Sequence, residues 1–213
     1  MWKCIRCEKE NQDSAEKCAS CGHERTMDYI QYRTLSKVSE TTSVNWKRTA
    51  SIPEGIEKPV LMADEDSTTV FGSKILRKNI REIEFVKVKK EKVPSGAWDV
   101  SEDKKKTIQA WTESTDKGLI LKIGSENGVY ANPNCKSLFS GYSNVKKIEF
   151  NHLFDTSKAI CMEYMFYECG ELEDIDVSRF NTCNVTDMAC MFAFDNKLKK
   201  LDMSQFDTGK VTD

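Results

Sequence analysis

Four short segments of the chain share one alternation of apolar and charged residues. In each segment, an apolar residue is followed by two charged residues and then by an apolar, an acidic and an apolar residue. The segments are IREIEF (80–85), VKKIEF (145–150), LEDIDV (172–177) and LKKLDM (198–203). Successive side chains of a strand point to opposite faces, so the pattern predicts strands with Ile148, Ile175 and Leu201 facing the core.

A second pattern recurs every 26 residues. The triplets Phe-Asp-Thr, Phe-Asn-Thr and Phe-Asp-Thr begin at Phe154, Phe180 and Phe206. We expect each phenylalanine to fill the interior where the chain leaves a strand. The Asp or Asn and the Thr are expected to hold the turn by bonding nearby backbone groups.

Between each triplet and the next strand, the sequence predicts about one turn of helix. Met188, Met191 and Phe192 are spaced i, i+3 and i+4, which is one face of a short helix. Thr186 and Asp187 precede them and can cap the free N–H groups. Each repeat is therefore predicted to be a strand, a turn and a helical turn, and stacked repeats are expected to share one core.

The region before the repeats has strong strand patterns. TIQAW (107–111) and LILKI (119–123) are separated by a loop that ends in glycine, so they predict a hairpin, and GVYA (128–131) predicts a further strand. Trp98 and Trp111 lie within these patterns and are expected to anchor the core of this sheet.

The predicted fold class is α+β: a short leucine-rich-repeat-like β/α solenoid with a β-rich N-terminal cap, preceded by a small zinc ribbon. The predicted domains are a zinc ribbon (1–25), a linker (26–58), a β-rich capping region (59–137) and the solenoid (138–213). The last coil lacks its helical turn. We therefore expect either a fragment of a longer array or self-association through this uncapped apolar end.

The repeat phrases resemble a known family. MFYECGELEDIDVSRFNTCNVTDMACMF and LKKLDMSQFDTGKVTD are similar to the BspA-like leucine-rich-repeat proteins, and the resemblance covers about residues 70–213. Many members are bacterial surface proteins. The resemblance implies a β/α solenoid that acts as an adhesion or interaction surface without catalysis.

Composition and charge narrow the functional classes. The 213 residues are 39% hydrophobic and 31% charged, with a formal net charge of −2, so no overall field attracts nucleic acid or a membrane. No apolar run approaches the roughly 20 residues of a membrane helix. The N-terminal sequence has no apolar signal region, which predicts a cytoplasmic location. The BspA-like resemblance implies the cell surface as the alternative.

Four cysteines near the N-terminus have the spacing of a metal site. Cys4, Cys7, Cys18 and Cys21 read Cys-x2-Cys-x10-Cys-x2-Cys, and two such pairs can surround one tetrahedral Zn²⁺. So short a segment has almost no core, so a structural zinc ion would supply its folding free energy.

With Trp2 and Asn11, this motif resembles the Ran-binding-protein type of zinc finger over about 25 residues. Members of that family bind single-stranded RNA or ubiquitin. RNA-binding members have an aromatic residue and paired arginines between the second and third cysteines, where this chain has residues 12–17, QDSAEK. Nucleic acid is therefore not expected as a partner, and an adaptor that binds it through the zinc module is the alternative function.

The acidic positions between the inward residues form a predicted column, and lysines flank it. The column consists of Glu84, Glu149, Asp176 and Asp202. We predict that it binds a protein partner, and its negative charge favours a basic one. The alternatives are a solvated face without a ligand and a weakly held divalent cation.

No catalytic motif accompanies the column. His152 is expected in a loop, and the cysteines of the repeats fall at different repeat positions, as packing residues would. The chain is predicted to be a non-catalytic scaffold for protein–protein interaction.

Chelation tests the zinc ribbon. Removing the metal should unfold residues 1–25, because zinc binding supplies about 10–16 kcal/mol in comparable peptides. Circular dichroism and amide exchange with and without a chelator measure this, and indifference of both signals would exclude a structural zinc site.

Overall fold

The computed structural model describes residues 2–3, 10–11, 58–66 and 68–212. The chain divides into two units, Met1–Glu54 and Gly55–Asp213, and each is described by itself.

In the first unit, two short strands pair antiparallel. These are β1 (Trp2–Lys3) and β2 (Glu10–Asn11), with Trp2 opposite Asn11. The four predicted zinc ligands and nearly all of the predicted linker lie outside the described residues, so both remain predictions.

The second unit contains a six-stranded mixed sheet and a two-stranded parallel sheet. The order in the large sheet is β10-β8-β3-β6-β5-β4, parallel from β10 to β6 and antiparallel from β6 to β4. The small sheet pairs β7 with β9. The strands are β3 (Ile80–Lys87), β4 (Trp98–Asp99), β5 (Gln109–Thr115), β6 (Gly118–Ser125), β7 (Val129–Tyr130), β8 (Lys147–Glu149), β9 (Phe154–Asp155) and β10 (Asp174–Ile175).

The alternating segments place their predicted residues in the core. Ile83 lies opposite Ile148, and Ile148 lies opposite Ile175 in parallel register. All three are buried, and Leu201 packs half-buried against the same core. The inward column is confirmed, although the last segment contributes a single bridge at Lys200 and no strand.

The predicted hairpin and the short strand after it are also confirmed. β5 and β6 pair antiparallel along their whole length, with Thr115 opposite Gly118 at the turn, and β7 lies within the GVYA segment. Trp111 is buried, and Trp98 is half-buried against the core.

The predicted fold class is wrong. The described residues contain almost no helix, only the 3₁₀ turns Arg77–Asn79 and Lys90–Lys92, and their main element is the mixed sheet. The structure is therefore not a β/α repeat solenoid.

Tight turns take the place of the predicted helical turns. They form three turn stretches, residues 134–141, 161–168 and 187–194. We call the segments 134–156, 161–182 and 187–208 the first, second and third copies of the repeat, since each runs from a turn stretch to a Phe-Asx-Thr triplet.

Backbone hydrogen bonding explains why these stretches are not helical. Some N–H groups close turns within a copy, as Met191 N does to Met188 O (3.2 Å). The N–H groups at the positions in between donate to the next copy, as Phe166 N does to Met191 O (2.9 Å). An N–H that bonds the neighbouring copy cannot close the i→i−4 bond of an α-helix. Cys190, at φ 53°, also lies in the left-handed region.

The threonine of each triplet joins one copy to the next. Thr156 Oγ1 accepts from Asn181 N (2.7 Å) and donates to Asn181 O (3.0 Å), and Thr182 bonds Asp207 in the same two ways. Asn181 Oδ1 accepts from Cys183 N (3.1 Å), so the predicted local turn is confirmed. The threonine prediction is wrong in its partner, which belongs to the next copy.

Phenylalanine rings also pack from copy to copy. Phe139, Phe166 and Phe192 are nearly parallel, with centroid distances of 5.6 and 5.2 Å. Phe180 and Phe206 are nearly parallel at 6.4 Å. These contacts make the core continuous through the copies.

Replacing one of these threonines tests the joint between copies. Thr156→Val should destabilise the protein by about 1–3 kcal/mol, because it leaves a backbone N–H and C=O of Asn181 without their partner. Urea unfolding measures the change.

The chain provides a matched control. Thr208 has the same place in the last triplet but is exposed, and its hydroxyl makes no hydrogen bond with the residues described. Thr208→Val should change stability by less than about 0.5 kcal/mol. Equal losses in both variants would contradict the proposed joint.

Candidate interaction surface

The side of the first copy that faces the N-terminal part of the unit is covered. β3 and β6 continue the sheet beyond β8, and Val60 bridges to Tyr130 of β7, which pairs with β9. A buried arginine covers the turn stretch of the first copy.

That arginine is Arg77, which is completely buried. Its Nη1 donates to the backbone carbonyls of Ser137 (2.8 Å) and Ser140 (2.6 Å). Its Nη2 forms an ion pair with Asp64 Oδ2 (2.8 Å), and its Nε donates to Thr69 O (2.9 Å). A buried charge needs such partners, so Arg77 joins Asp64 and Thr69 to the first copy.

Sequence reasoning missed this residue. Arg77 lies in SKILRKNI, among residues of a basic stretch that resembles an ordinary charged surface. No local pattern distinguishes it from its lysine neighbours. Its role depends on carbonyls about 60 positions away, and only the tertiary structure brings them together.

The opposite side of the repeats, at the third copy, is open. Second-copy N–H groups donate to carbonyls of the third copy, as Tyr164 N does to Ala189 O (2.9 Å). The corresponding third-copy N–H groups make no hydrogen bond within the described part of the chain; they belong to Met188, Cys190, Phe192 and Phe194.

The third copy also exposes apolar side chains. Phe194, which carries one of these donors, is 62% exposed, and Met203 is 46% exposed. We define the open edge as these two side chains, the four free N–H groups and the Thr208 hydroxyl. Backbone N–H groups without partners and exposed apolar groups are features that favour the addition of another chain segment.

The first two carboxylates of the predicted acidic column lie side by side in the structure, and lysines neutralise them. Glu84 lies opposite Glu149 in the register of β3 and β8. Lys122 of β6 forms an ion pair with Glu84, and Lys147 Nζ lies 2.5 Å from Glu149 Oε1. Each of these carboxylates therefore has a lysine partner within the protein.

The other two members of the column hold turns. Asp176 Oδ1 accepts from the backbone N (3.0 Å) and the hydroxyl (2.6 Å) of Ser178, and these bonds hold the pKa of Asp176 below its ordinary value. Asp202 Oδ1 accepts from Ser204 N (2.9 Å), and hydrogen bonds from the side chain and the backbone of Ser204 hold the pKa of Asp202 below its ordinary value. The local fold already uses all four carboxylates, and the partner-binding role remains a prediction.

One mixed group of side chains could hold a cation. Cys161, Glu163 and Asp187 each present a ligand atom within 4.8 Å of the others. Lys136 Nζ already binds Glu163 Oε2 (2.7 Å), and the group offers three protein ligands where a structural zinc site uses four. None of these three residues belongs to the predicted zinc site.

The cysteines that are deeply buried have the environment of packing residues. Burial raises the pKa of the Cys135 thiol to about 12, and it also raises the pKa of Cys169. Thiols with raised pKa values carry little thiolate and are poor nucleophiles. His152 lies in an exposed turn, as expected.

Comparison with known proteins gives one family match. Residues 133–213 match the model of the family described as "Mycoplasma protein of unknown function, DUF285". No curated protein and no solved structure matches the chain. Among the described residues, no helix is long and apolar enough to cross a membrane.

A carboxyl group near the open edge makes stability depend on pH. Asp195 Oδ1 accepts from Cys169 N (2.8 Å), and Oδ2 is buried without a partner among the residues described. Burial raises the pKa of Asp195 from 3.8 to about 7. The folded state therefore holds the proton of Asp195 more tightly than the unfolded state. The stability that this difference contributes is fully present below about pH 4 and is lost as the pH rises through about 7.

Asp195→Asn tests this dependence, because asparagine keeps the acceptor oxygen and cannot ionise. We expect a higher melting temperature than wild type at pH 8 and a flatter profile between pH 5 and 8, measured by thermal unfolding. Asp116→Asn, at an exposed position, controls for the loss of one surface charge. An unchanged slope in Asp195→Asn would contradict the assignment.

Proposed function

We propose that this chain is a non-catalytic protein-interaction module whose partner binds at the open edge. The observation that carries the proposal is the asymmetry of the repeats. Their N-terminal side is covered by β3, β6 and Arg77, whereas the third copy has N–H donors without partners among the described residues and two exposed apolar side chains.

The chemistry of the edge supports a protein rather than a small molecule as the partner. Free backbone donors at alternate residues suit the carbonyls of an added polypeptide segment. Phe194 and Met203 add apolar area that is partly exposed to water, and burying such area favours association. Aromatic side chains and methionine are also enriched at protein interfaces.

The acidic column is a weaker candidate for the binding surface. Its two glutamates are paired with lysines. Further lysines cross between copies on the same flank, as Lys199 does to Glu173 (3.1 Å) and Lys197 to Glu171 (2.8 Å). A basic partner would have to displace these lysines, so the attraction expected from an unpaired column is reduced.

A surface protein of the BspA-like type is the second candidate. The match over residues 133–213 and the Phe-Asx-Thr repeats favour it, since the matched family is associated with such proteins. In that role the open edge would bind a protein outside the cell. The zinc module at Cys4, Cys7, Cys18 and Cys21 would then be a separate folded unit.

Affinity capture from the native cell tests which surface binds. The tagged chain is compared with two double variants. Phe194→Glu with Met203→Glu places charges on the open edge and should lower partner recovery by about tenfold or more, because buried charges without partners cost several kcal/mol.

Asp176→Asn with Asp202→Asn is the matched control. Asparagine keeps the acceptor oxygen of each turn and removes the charge of the column. Partner recovery should stay within about twofold of wild type, because exposed charges contribute little free energy to an interaction. Loss of the partner in this variant alone would place binding at the acidic column and reject the open edge.

A further inference from the structure

We propose that the cleft where β3 and β6 begin binds a small soluble anion that carries two or more phosphate groups. The cleft has a volume of about 640 Å³, and it is lined by residues of the segment 78–81, by the turn between β5 and β6 and by Asn144. None of these residues belongs to the open edge, so this inference is independent of the proposed function.

The lining side chains carry an excess of positive charge. Lys78, Arg81 and Lys117 are cationic, and Asp116 is the single carboxylate among the lining residues. None of the three cations forms an ion pair within the described part of the chain, whereas the two glutamates of the acidic column are paired with lysines. The side-chain amide of Asn79 adds a donor that has no partner among the described residues.

An irregularity in the sheet and a glycine place Arg81 at the cleft. The register of β3 against β6 shifts between Ile80 and Glu82, so Arg81 is the extra residue at this point. Such irregularities re-aim a side chain. Gly118 lies under the Arg81 side chain, and a Cβ at this position, where φ is 124°, would lie 2.6 Å from Arg81 Cγ. The absence of a side chain at Gly118 therefore allows Arg81 to lie across the turn.

Hydrogen bonds join the segments that form the cleft. Asn144 Nδ2 donates to Lys78 O (2.7 Å), and Lys146 N donates to Arg81 O (2.9 Å). The pairing of β3 with β6 joins these segments to the turn between β5 and β6. The backbone that carries the three cations is thus held in place, so binding of a ligand requires little ordering of the chain.

The donor set suits phosphate groups. A guanidinium can bind phosphate oxygens through two parallel N–H bonds, and ammonium groups add point charges. Three cations against one carboxylate favour a ligand with more than one negative charge. The lining residues include no aromatic ring on which a base could stack. The chemistry therefore matches a compact diphosphate rather than a nucleic acid strand.

The part of the chain before the cleft supplies no net charge to neutralise it. Residues 1–57 contain nine Lys or Arg residues and nine Asp or Glu residues. A ligand from solution is therefore the occupant that the charges favour. Titration of the full chain checks this point, because a segment of the chain that filled the cleft would exclude added phosphate.

Isothermal titration calorimetry with the full chain tests the proposal. The protein is titrated with pyrophosphate, with orthophosphate and with a tricarboxylate of similar charge to pyrophosphate. The salt concentration is about 0.15 M, at which exposed charges are screened beyond about 8 Å. We expect pyrophosphate to bind at least about tenfold more tightly than either of the others, because it alone offers two phosphate groups to the three cations.

Paired lysine variants show whether the cleft is the site. Lys78→Gln with Lys117→Gln removes two exposed charges of the cleft and should weaken pyrophosphate binding at least about tenfold, because two charge-assisted hydrogen bonds are lost. Lys87→Gln with Lys92→Gln removes the same charge at exposed positions outside the cleft and should change the affinity by less than about twofold. Arg81→Lys keeps the charge but loses the two-bond contact, and we expect about fivefold weaker binding.

Several results would overturn the proposal. They are the absence of pyrophosphate binding at millimolar concentration, equal losses in the two lysine pairs, unchanged affinity in Arg81→Lys, and equal or tighter binding of the tricarboxylate or of orthophosphate. Amide chemical shifts of the wild-type chain give a measurement that needs no variant. Pyrophosphate should shift Asn79, Lys117 and Gly118 most, and shifts centred elsewhere also overturn the site. The capture experiment is separate, because it tests the open edge.

Discussion

The sharing of backbone hydrogen bonds between copies of the repeat is the constraint on which the rest of the structure depends. In the turn stretches, alternate N–H groups serve the next copy, and the others close turns within their own copy. This division leaves no set of donors for a helix, so it produces the left-handed residues and the absence of helical turns. It also brings the phenylalanines and threonines of successive triplets into contact.

A stack held in this way has two different ends. The carbonyls at one end are covered by a loop that a buried guanidinium fixes in place, and the sheet continues there into β3 and β6. The donors at the other end have no partner among the described residues. Directional hydrogen bonds therefore give the molecule a polarity that hydrophobic packing alone would not, because burial of apolar area has no direction. The proposed function uses this polarity.

The carboxylates of the charged face have partners within the protein that the sequence does not indicate. Read along the chain, Glu84, Glu149, Asp176 and Asp202 form an acidic column with lysines nearby. In the structure, two of these carboxylates are paired with lysines and two accept hydrogen bonds from serines two positions later. A spacing pattern shows which side chains share a face. It does not show whether they are already satisfied there, since that depends on rotamers and on neighbouring strands.

The sequence by itself determined the strands at three of the four alternating segments and their inward residues. Successive side chains of a strand face opposite sides, so burying one face requires apolar residues at alternate positions. It determined the 26-residue period and the local turn at Asn181 for the same reason. It did not determine the conformation of the turn stretches: the spacing of Met188, Met191 and Phe192 fits a helix, but hydrogen bonds to the neighbouring copy override that preference. Only the tertiary structure decided the role of Arg77 and the direction of the open edge, because both depend on backbone groups that lie far apart in the chain.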